Sequence, residues 1–558
     1  MKFGLIYFIL LSGSVCADEI ARGTVFEDLN GNARYDAGEP GVKDVRVSDG
    51  KQVVLTDAKG QYNLSIANET VLFIVKPSGY AVPTNGYRLP QFYYIHQPDG
   101  SPEGLRYKGI APTGDLPKQI NFPLKKVVEP TSFEAILFTD PQPMTGAEVD
   151  YIRDDVVSEL IGTTAKFGMT LGDILYDDLA LFPRYLSIVS QIDIPWYNVP
   201  GNHEMNYDAP SDKYSLETFK RYFGPPYYAF EYANSYVIVL DNIEYSGTKT
   251  DNPLDVRDEG SYIARFTEPQ LEWLKNDLQY VSNDKLILVT MHAPLTSYTG
   301  DSKSTSVYTG NRRELLQLLS GRKHLYAVAG HTHTTEHHYY GKEEGFDGPG
   351  KFHHHILSTV SGSWWSGPLD ERGIPVSVQR DGTPNGYHIL EVSDTDVKMR
   401  YKAAGKAADY QMHIFFDVAY HRYEAEGLRD YRPGAHLDGR MSIDEARAAQ
   451  IVVNLFDGGP KSSIEFSLND SSPIKMTKSF RPDPMHRELF LRNKGMSKPW
   501  AKSVPSSHIW IADLPRDISV GTHTITVKAT DEFGRKHHAH AILEISGSSG
   551  NDAGERGW

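Results

Sequence analysis

The chain has 558 residues, 40% hydrophobic and 23% charged, which leaves room for about three domains with ordinary cores. Its 57 basic and 72 acidic side chains give a net charge of −15, and no basic stripe is visible. Bulk electrostatics therefore exclude nucleic acid or an anionic membrane as a partner, and the single cysteine, Cys16, excludes a disulfide framework.

The first residues read as a secretory signal. Lys2 precedes the apolar run FGLIYFILL, and small residues lead to Val15-Cys16-Ala17, so cleavage before Asp18 is expected and residues 1–17 form the signal. The run is too short to span a bilayer stably, and no later segment offers a transmembrane helix. Val15, and the lack of leucine at the third position before Cys16, match a lipoprotein attachment site poorly. The expected location is secreted or periplasmic.

Residues 21–125 form the first domain. The stretch GVKDVRVSDGKQVVLTDAKGQYNLSI alternates apolar and polar residues and breaks at Gly and Asp, which predicts the short strands of a small β-sandwich. Within it, Asp28, Asn30, Asn32, Arg34, Asp36 and Glu39 fall at positions 1, 3, 5, 7, 9 and 12 of an EF-hand-like loop, so calcium is conceivable. Ala33 stands where the sharp turn expects Gly, and no flanking helices are evident. An ordinary Asx-rich turn is the favoured reading.

Five motifs follow in order, each ending in metal-binding side chains: FTDPQ (Asp140, Gln142), LGDILYDD (Asp173), PGNHE (Asn202, His203), MHAP (His292) and AGHTH (His331, His333). Apolar runs lead into them, with EAILF before Asp140, WYNV before Gly201, KLILVT before His292 and LYAVA before Gly330. Such runs predict buried parallel strands, and loops at the carboxyl ends of neighbouring strands are where open α/β sheets place their sites. Helical periods run through EVDYIRDDVVSELI, DLALFPRYLSIVSQI, EPQLEWLKNDLQYV and RRELLQLL, while YYAFEYANSYVIVLDN reads as an antiparallel hairpin. A layered α/β domain is the consequence. Carboxylate, amide oxygen and imidazole together suit first-row divalent ions, and the absence of cysteine ligands makes an open, reactive centre a better fit than a closed structural zinc site.

This constellation resembles the calcineurin-like metallophosphoesterase superfamily over roughly residues 132–400. The resemblance implies an αββα sandwich over residues 130–404 and two divalent metal ions. It assigns Asp140, Gln142, Asp173 and His333 to the first ion and Asp173, Asn202, His292 and His331 to the second, so Asp173 would bridge. By the same resemblance His203 lies outside the ligand set and acts on the phosphate or the leaving group. Two metals roughly 3.5–4 Å apart activate water and clamp phosphoryl oxygens during in-line displacement.

Two departures from the family pattern carry information. The first motif usually reads Asp-x-His, and here Gln142 takes the histidine's place; an amide oxygen is a harder ligand, which favours manganese or ferrous iron over zinc. Phosphoprotein phosphatases of the superfamily carry arginines beside the second and third motifs, where this chain has Asp177, Asp178 and Pro200. That subfamily is disfavoured. Asp177 or Asp178 is available to orient His203, and spacing does not choose between them.

After AGHTH, His337, His338, His353, His354 and His355 crowd together. A His-rich tract can bind metal, but histidines on the surface or behind the ligands are the expectation. In Ser361-Gly362-Ser363-Trp364-Trp365-Ser366-Gly367, the paired rings of Trp364 and Trp365 either stack a base, sugar or aryl group of a substrate or pack against a neighbouring domain. Substrate selectivity is expected to reside in loops 297–310, 342–355 and 361–386.

Residues 405–546 contain the strand-like segments IVVNLFDGG, SSIEFSLND, HIWIADLP and THTITVKATDEFGRKHHAHAILEI, as in an immunoglobulin-like sandwich. Residues 547–558 read as a loose tail. The first and third domains resemble the prealbumin-like and carboxyl-terminal modules of one secreted three-domain phosphoesterase group. The expected architecture is thus a multidomain chain with a central α/β layered domain between two all-β sandwiches. The expected function is a phosphatase acting on a small or surface phosphoester. The alternatives are a phosphodiesterase or nucleotide-diphosphate pyrophosphatase, and a non-catalytic surface-binding protein.

Overall fold

The computed structural model describes residues 19–247, 262–299, 307–362, 364–417, 439–493, 495 and 498–547. The expected signal with Cys16, part of the loop 297–310 and all but the first residue of the tail 547–558 lie outside the described residues.

Two sheets form the centre of the molecule. The first orders its strands Trp196–Val199, Phe167–Leu171, Ser132–Phe138, Gly386–Ser393 and Asp396–Ala403, the first three being parallel. The second runs Tyr228–Tyr232, Ser235–Val239, Leu286–Thr290, His324–Ala329, Phe352–Ile356 and Glu336–Tyr340. Its first pair is the antiparallel hairpin, and its middle strands are parallel.

The runs FGMTL, WYNV and LILVT are buried at every residue because these strands are covered on both faces. Leu137, Phe167 and Met169 of the first sheet join Val237, Leu288 and Val328 of the second in one core. On the outer face of the first sheet, Ile136 and Phe138 meet Val149 and Ile152 of helix Gly146–Ile152 and Phe182, Tyr185 and Leu186 of helix Phe182–Val189. Helices Glu268–Leu278 and Arg312–Leu319 supply Leu271, Leu274, Leu315 and Leu319 to the core of the second sheet. The result is an αββα sandwich.

Four-stranded sheets pair up in the amino-terminal region, and a four- and a five-stranded sheet do so in the carboxyl-terminal one. Buried ion pairs join the first region to the centre: Arg46 lies 2.9 Å from Asp277 and 2.6 Å from Glu231. The third region docks on the centre through His508 on Asp381 at 2.9 Å and Arg535 on Glu391 at 2.6 Å. Among the described residues, no helix is long and apolar enough to cross a membrane.

Candidate active site

The three parallel strands of the first sheet deliver Asp140 and Gln142, Asp173, and Asn202 with His203 from their carboxyl ends. Two adjacent strands of the second sheet deliver His292 and then His331 with His333. The site therefore spans the seam between two sheets, and all seven candidate ligands meet there.

One half of the cluster centres on His292 Nε2, which lies 3.1 Å from Asp173 Oδ1, 3.2 Å from Asn202 Oδ1 and 3.1 Å from His331 Nδ1. A single imidazole nitrogen cannot hydrogen-bond all three. Its partner Nδ1 lies 2.9 Å from the Leu171 carbonyl; donation there leaves Nε2 with a lone pair facing the cluster. In the other half, Asp140 Oδ1 lies 3.5 Å from His333 Nε2, and the Gln142 amide donates to Asp173 Oδ2 at 2.8 Å. Asp173 thus offers one oxygen to each half.

Charge and burial favour cations here. Burial alone would lower the His292 and His203 imidazoles, yet Asp173, with Asp177 beside His203, raises them to about 9 and about 10. Burial would likewise raise Asp173, but the surrounding imidazoles hold it well below the usual carboxylate range. Gln142 Oε1 and His333 Nδ1 are buried without a hydrogen-bond partner among the described residues. Orphaned lone pairs, converging nitrogens and paired carboxylates fit divalent ions.

The backbone is strained where the ligands sit. Asp140, Gln142, Asp173, His331 and His333 all have positive φ, between 40° and 73°, a conformation that costs non-glycine residues about 1–3 kcal/mol each. Surrounding contacts hold it: the His331 amide donates to both Asp140 carboxylate oxygens at 3.0 Å, and Ser361 Oγ donates to the Asp140 carbonyl at 2.9 Å. Two motif glycines are obligatory. A Cβ at Gly201 would stand 2.3 Å from Asp173 Oδ1, and one at Gly330 2.3 Å from Asp140 Oδ2.

His203 sits over the cluster. Its Nδ1 lies 2.6 Å from Asp177 Oδ1, which settles the choice between Asp177 and Asp178, and its Nε2 lies 3.8 Å from Asp173 Oδ2. Tyr176 stacks on its ring at 4.4 Å. Glu204, which the motif reading passes over, accepts from the amides of Ile174, Leu175 and Gly201 at 2.8, 3.2 and 2.8 Å. It ties the third motif to the second. The glutamate that closes GNHE was the available signal.

The rim is aromatic. Trp364 lies flat on His333 at 4.0 Å, and Trp500 of the third domain stacks 6.2 Å from Tyr176 and meets Trp364 edge-on at 6.4 Å. Lys498 anchors the Trp500 segment, its amide donating to Ser366 Oγ at 3.2 Å and its ammonium lying 3.0 Å from Glu148. Nothing in the local sequence marks Trp500, because its approach depends on domain docking. Trp365 departs from the stacking expectation: it is 4% exposed and packs inward against Tyr151 at 5.6 Å, so it presents no face to a substrate.

One further expectation changes. His337, His338, His354 and His355 are buried, not superficial: His337 and His355 face Asp457 of the third domain, while His338 and His354 face Glu336, Thr296 and Leu295 on the opposite side of their strands. In the candidate calcium loop, both Asp28 oxygens accept backbone amides, Asn30 and Asn32 donate to Asp36 Oδ2, and Glu39 accepts the amides of Leu29 and Asp36. That is the hydrogen bonding of an Asx-rich turn.

Three family models match successive parts of the chain: N terminal of Calcineurin-like phosphoesterase over residues 28–109, Calcineurin-like phosphoesterase over 154–335, and C terminal of Calcineurin-like phosphoesterase over 354–537. No curated protein matches. Among solved structures, purple acid phosphatase PPD1 from yellow lupin (Lupinus luteus) seeds is similar over 65% of this chain and 67% of that one, at 12% identity and a TM-score of 0.35. So distant a likeness adds nothing to the case made by the residues.

Proposed function

The chain belongs to the calcineurin-like phosphoesterases and is a metal-dependent phosphoric ester hydrolase; from that premise we propose a secreted or periplasmic phosphatase for small phosphomonoesters with an aromatic or other flat leaving group. One observation carries the reading: Asp173 turns one carboxylate oxygen toward the His292 cluster and the other toward Gln142, with His203 above both.

Asp140, Gln142, Asp173 and His333 would hold one divalent ion, and Asp173, Asn202, His292 and His331 the other. Bound there, the pair supplies a nucleophilic water near neutral pH and offsets charge on the phosphoryl oxygens. Manganese is the favoured ion because Gln142 replaces an imidazole with a hard oxygen. Asp177 and Tyr176 orient His203, whose Nε2 faces the cluster and donates a proton to the departing oxygen. Trp364, Trp500 and Tyr176 offer flat faces on which a ring in the leaving group stacks. Export is supported by the apolar leader ahead of Asp18.

The test is a panel of aryl monoester, aryl diester and nucleotide diphosphate substrates, assayed with added manganese. The monoester should be hydrolysed at least about tenfold faster than the others, a difference of about 1.4 kcal/mol in barrier. Dominant diester or pyrophosphate cleavage would replace the phosphatase reading. Absence of turnover on all three would favour a binding protein.

A further inference from the structure

A second cluster of histidines lies away from the cleft and shares no residue with it. Strands Glu336–Tyr340 and Phe352–Ile356 pair antiparallel with His337 directly opposite His355, so the pleat places both rings on one face, stacked at 3.9 Å. His388 approaches from strand Gly386–Ser393 of the other central sheet, its ring 5.6 Å from that of His355. Asp457 arrives from the third domain, in the turn after strand Gln450–Leu455. Its Oδ1 lies 2.8 Å from His355 Nε2, 3.3 Å from His337 Nε2 and 3.9 Å from His388 Nε2.

We propose that His337, His355 and Asp457 bind one zinc-like divalent cation in a buried site that fastens the third domain to the second central sheet, with His388 of the first sheet beside it.

Four observations converge on it. All four side chains are buried, and Asp457 Oδ1 and the three Nε2 atoms lack a hydrogen-bond partner among the described residues despite lying so close. In a tetrahedral site with bonds of about 2.0–2.1 Å, ligand atoms stand roughly 3.3–3.4 Å apart, and Asp457 Oδ1 lies 3.3 Å from His337 Nε2 and 2.8 Å from His355 Nε2. The outer nitrogens are engaged: His355 Nδ1 lies 2.8 Å from the Tyr326 hydroxyl and His337 Nδ1 2.9 Å from His353 Nε2. A ring that donates outward through Nδ1 presents its Nε2 lone pair inward, which is how proteins aim metal-binding imidazoles.

The charge balance also asks for a cation. Asp457 brings a carboxylate into this buried group of imidazoles. A divalent ion neutralises it and satisfies three lone pairs at once. Two imidazoles and one carboxylate enclosed between two domains are N/O ligands that suit a first-row divalent ion such as zinc. A small cavity lined by Tyr401, Gln411, Asp457 and Arg535 lies beside the carboxylate.

The test places the ion directly. Crystals of the full chain, grown from protein equilibrated with equimolar zinc, should show an anomalous peak at the zinc edge bonded to His337, His355 and Asp457. Metal analysis of Asp457→Asn should find one ion fewer per chain than wild type, with a lower melting temperature and the cleft ions retained. A peak-free centre, with Asp457 hydrogen-bonded to His355, would overturn the proposal, as would an unchanged metal count in the variant. If Asp457→Asn does not fold, the wild-type map alone decides. The cleft ligands are untouched, so failure of the phosphatase reading would leave these outcomes as they are.

Discussion

The cleft and the buried histidine cluster use the same kinds of side chain in opposite settings. In the cleft, five of seven candidate ligands occupy left-handed backbone in loops beyond the strand ends. In the buried cluster, all three histidines sit within regular strands and the carboxylate comes from a docked domain. Loop ligands leave one side of the centre facing His203 and an aromatic rim, where a substrate can enter. Strand ligands surround theirs. The backbone, not the choice of side chain, separates a reactive centre from a structural one.

The largest expected effect strikes the carboxylate shared by both halves of the cleft. Asp173→Asn should lower kcat/KM on the order of 10³-fold or more, about 4 kcal/mol, while circular dichroism stays unchanged. Retained turnover would mean that the cleft does not work as a paired centre. His203→Ala comes next: a loss of about 10²-fold for substrates with poor leaving groups, and a much smaller loss for activated aryl phosphates, which need no proton delivered. Its metal content should match wild type. A variant that purifies with one ion missing would show that His203 is a ligand.

Gln142→His should narrow the preference for manganese over zinc by several-fold, read by reactivation of chelated enzyme with each ion. Equal reactivation before and after the change would remove the hard-ligand argument. The smallest effect belongs to the rim. Trp500→Ala should raise KM for aryl substrates by about tenfold or less with kcat nearly constant, since stacking of this kind contributes about 0.5–1.5 kcal/mol. A proportionate loss for substrates without a ring would assign Trp500 to domain docking instead.

Much of this was legible in the order of residues. Fully apolar runs such as WYNV and LILVT marked strands covered on both faces, and each ran straight into a motif. The hairpin around Ala233 and the helices beginning near Gly146, Phe182, Glu268 and Arg312 followed from local period and turn residues. Spacing could not choose Asp177 over Asp178, because a loop in left-handed conformation at Asp177 aims its side chain by dihedral angle and not by sequence distance. Nor did a paired WW reveal that its two rings face opposite ways, one onto His333 and the other onto Tyr151.

Local chemistry carries its own information: an apolar run buries itself, a glycine admits a crowded loop, and a carboxylate beside imidazoles gathers a cation, wherever the chain takes them. The sequence therefore held the strands, the ligand types and the class of reaction. It did not hold the seam between two separate sheets, the reach of Trp500 into the cleft, or the meeting of His337, His355 and His388 with Asp457. Those contacts join residues as many as 324 positions apart, between Tyr176 and Trp500. No local preference encodes such a distance. It is decided when the domains pack, by the apolar area and the ion pairs that packing buries.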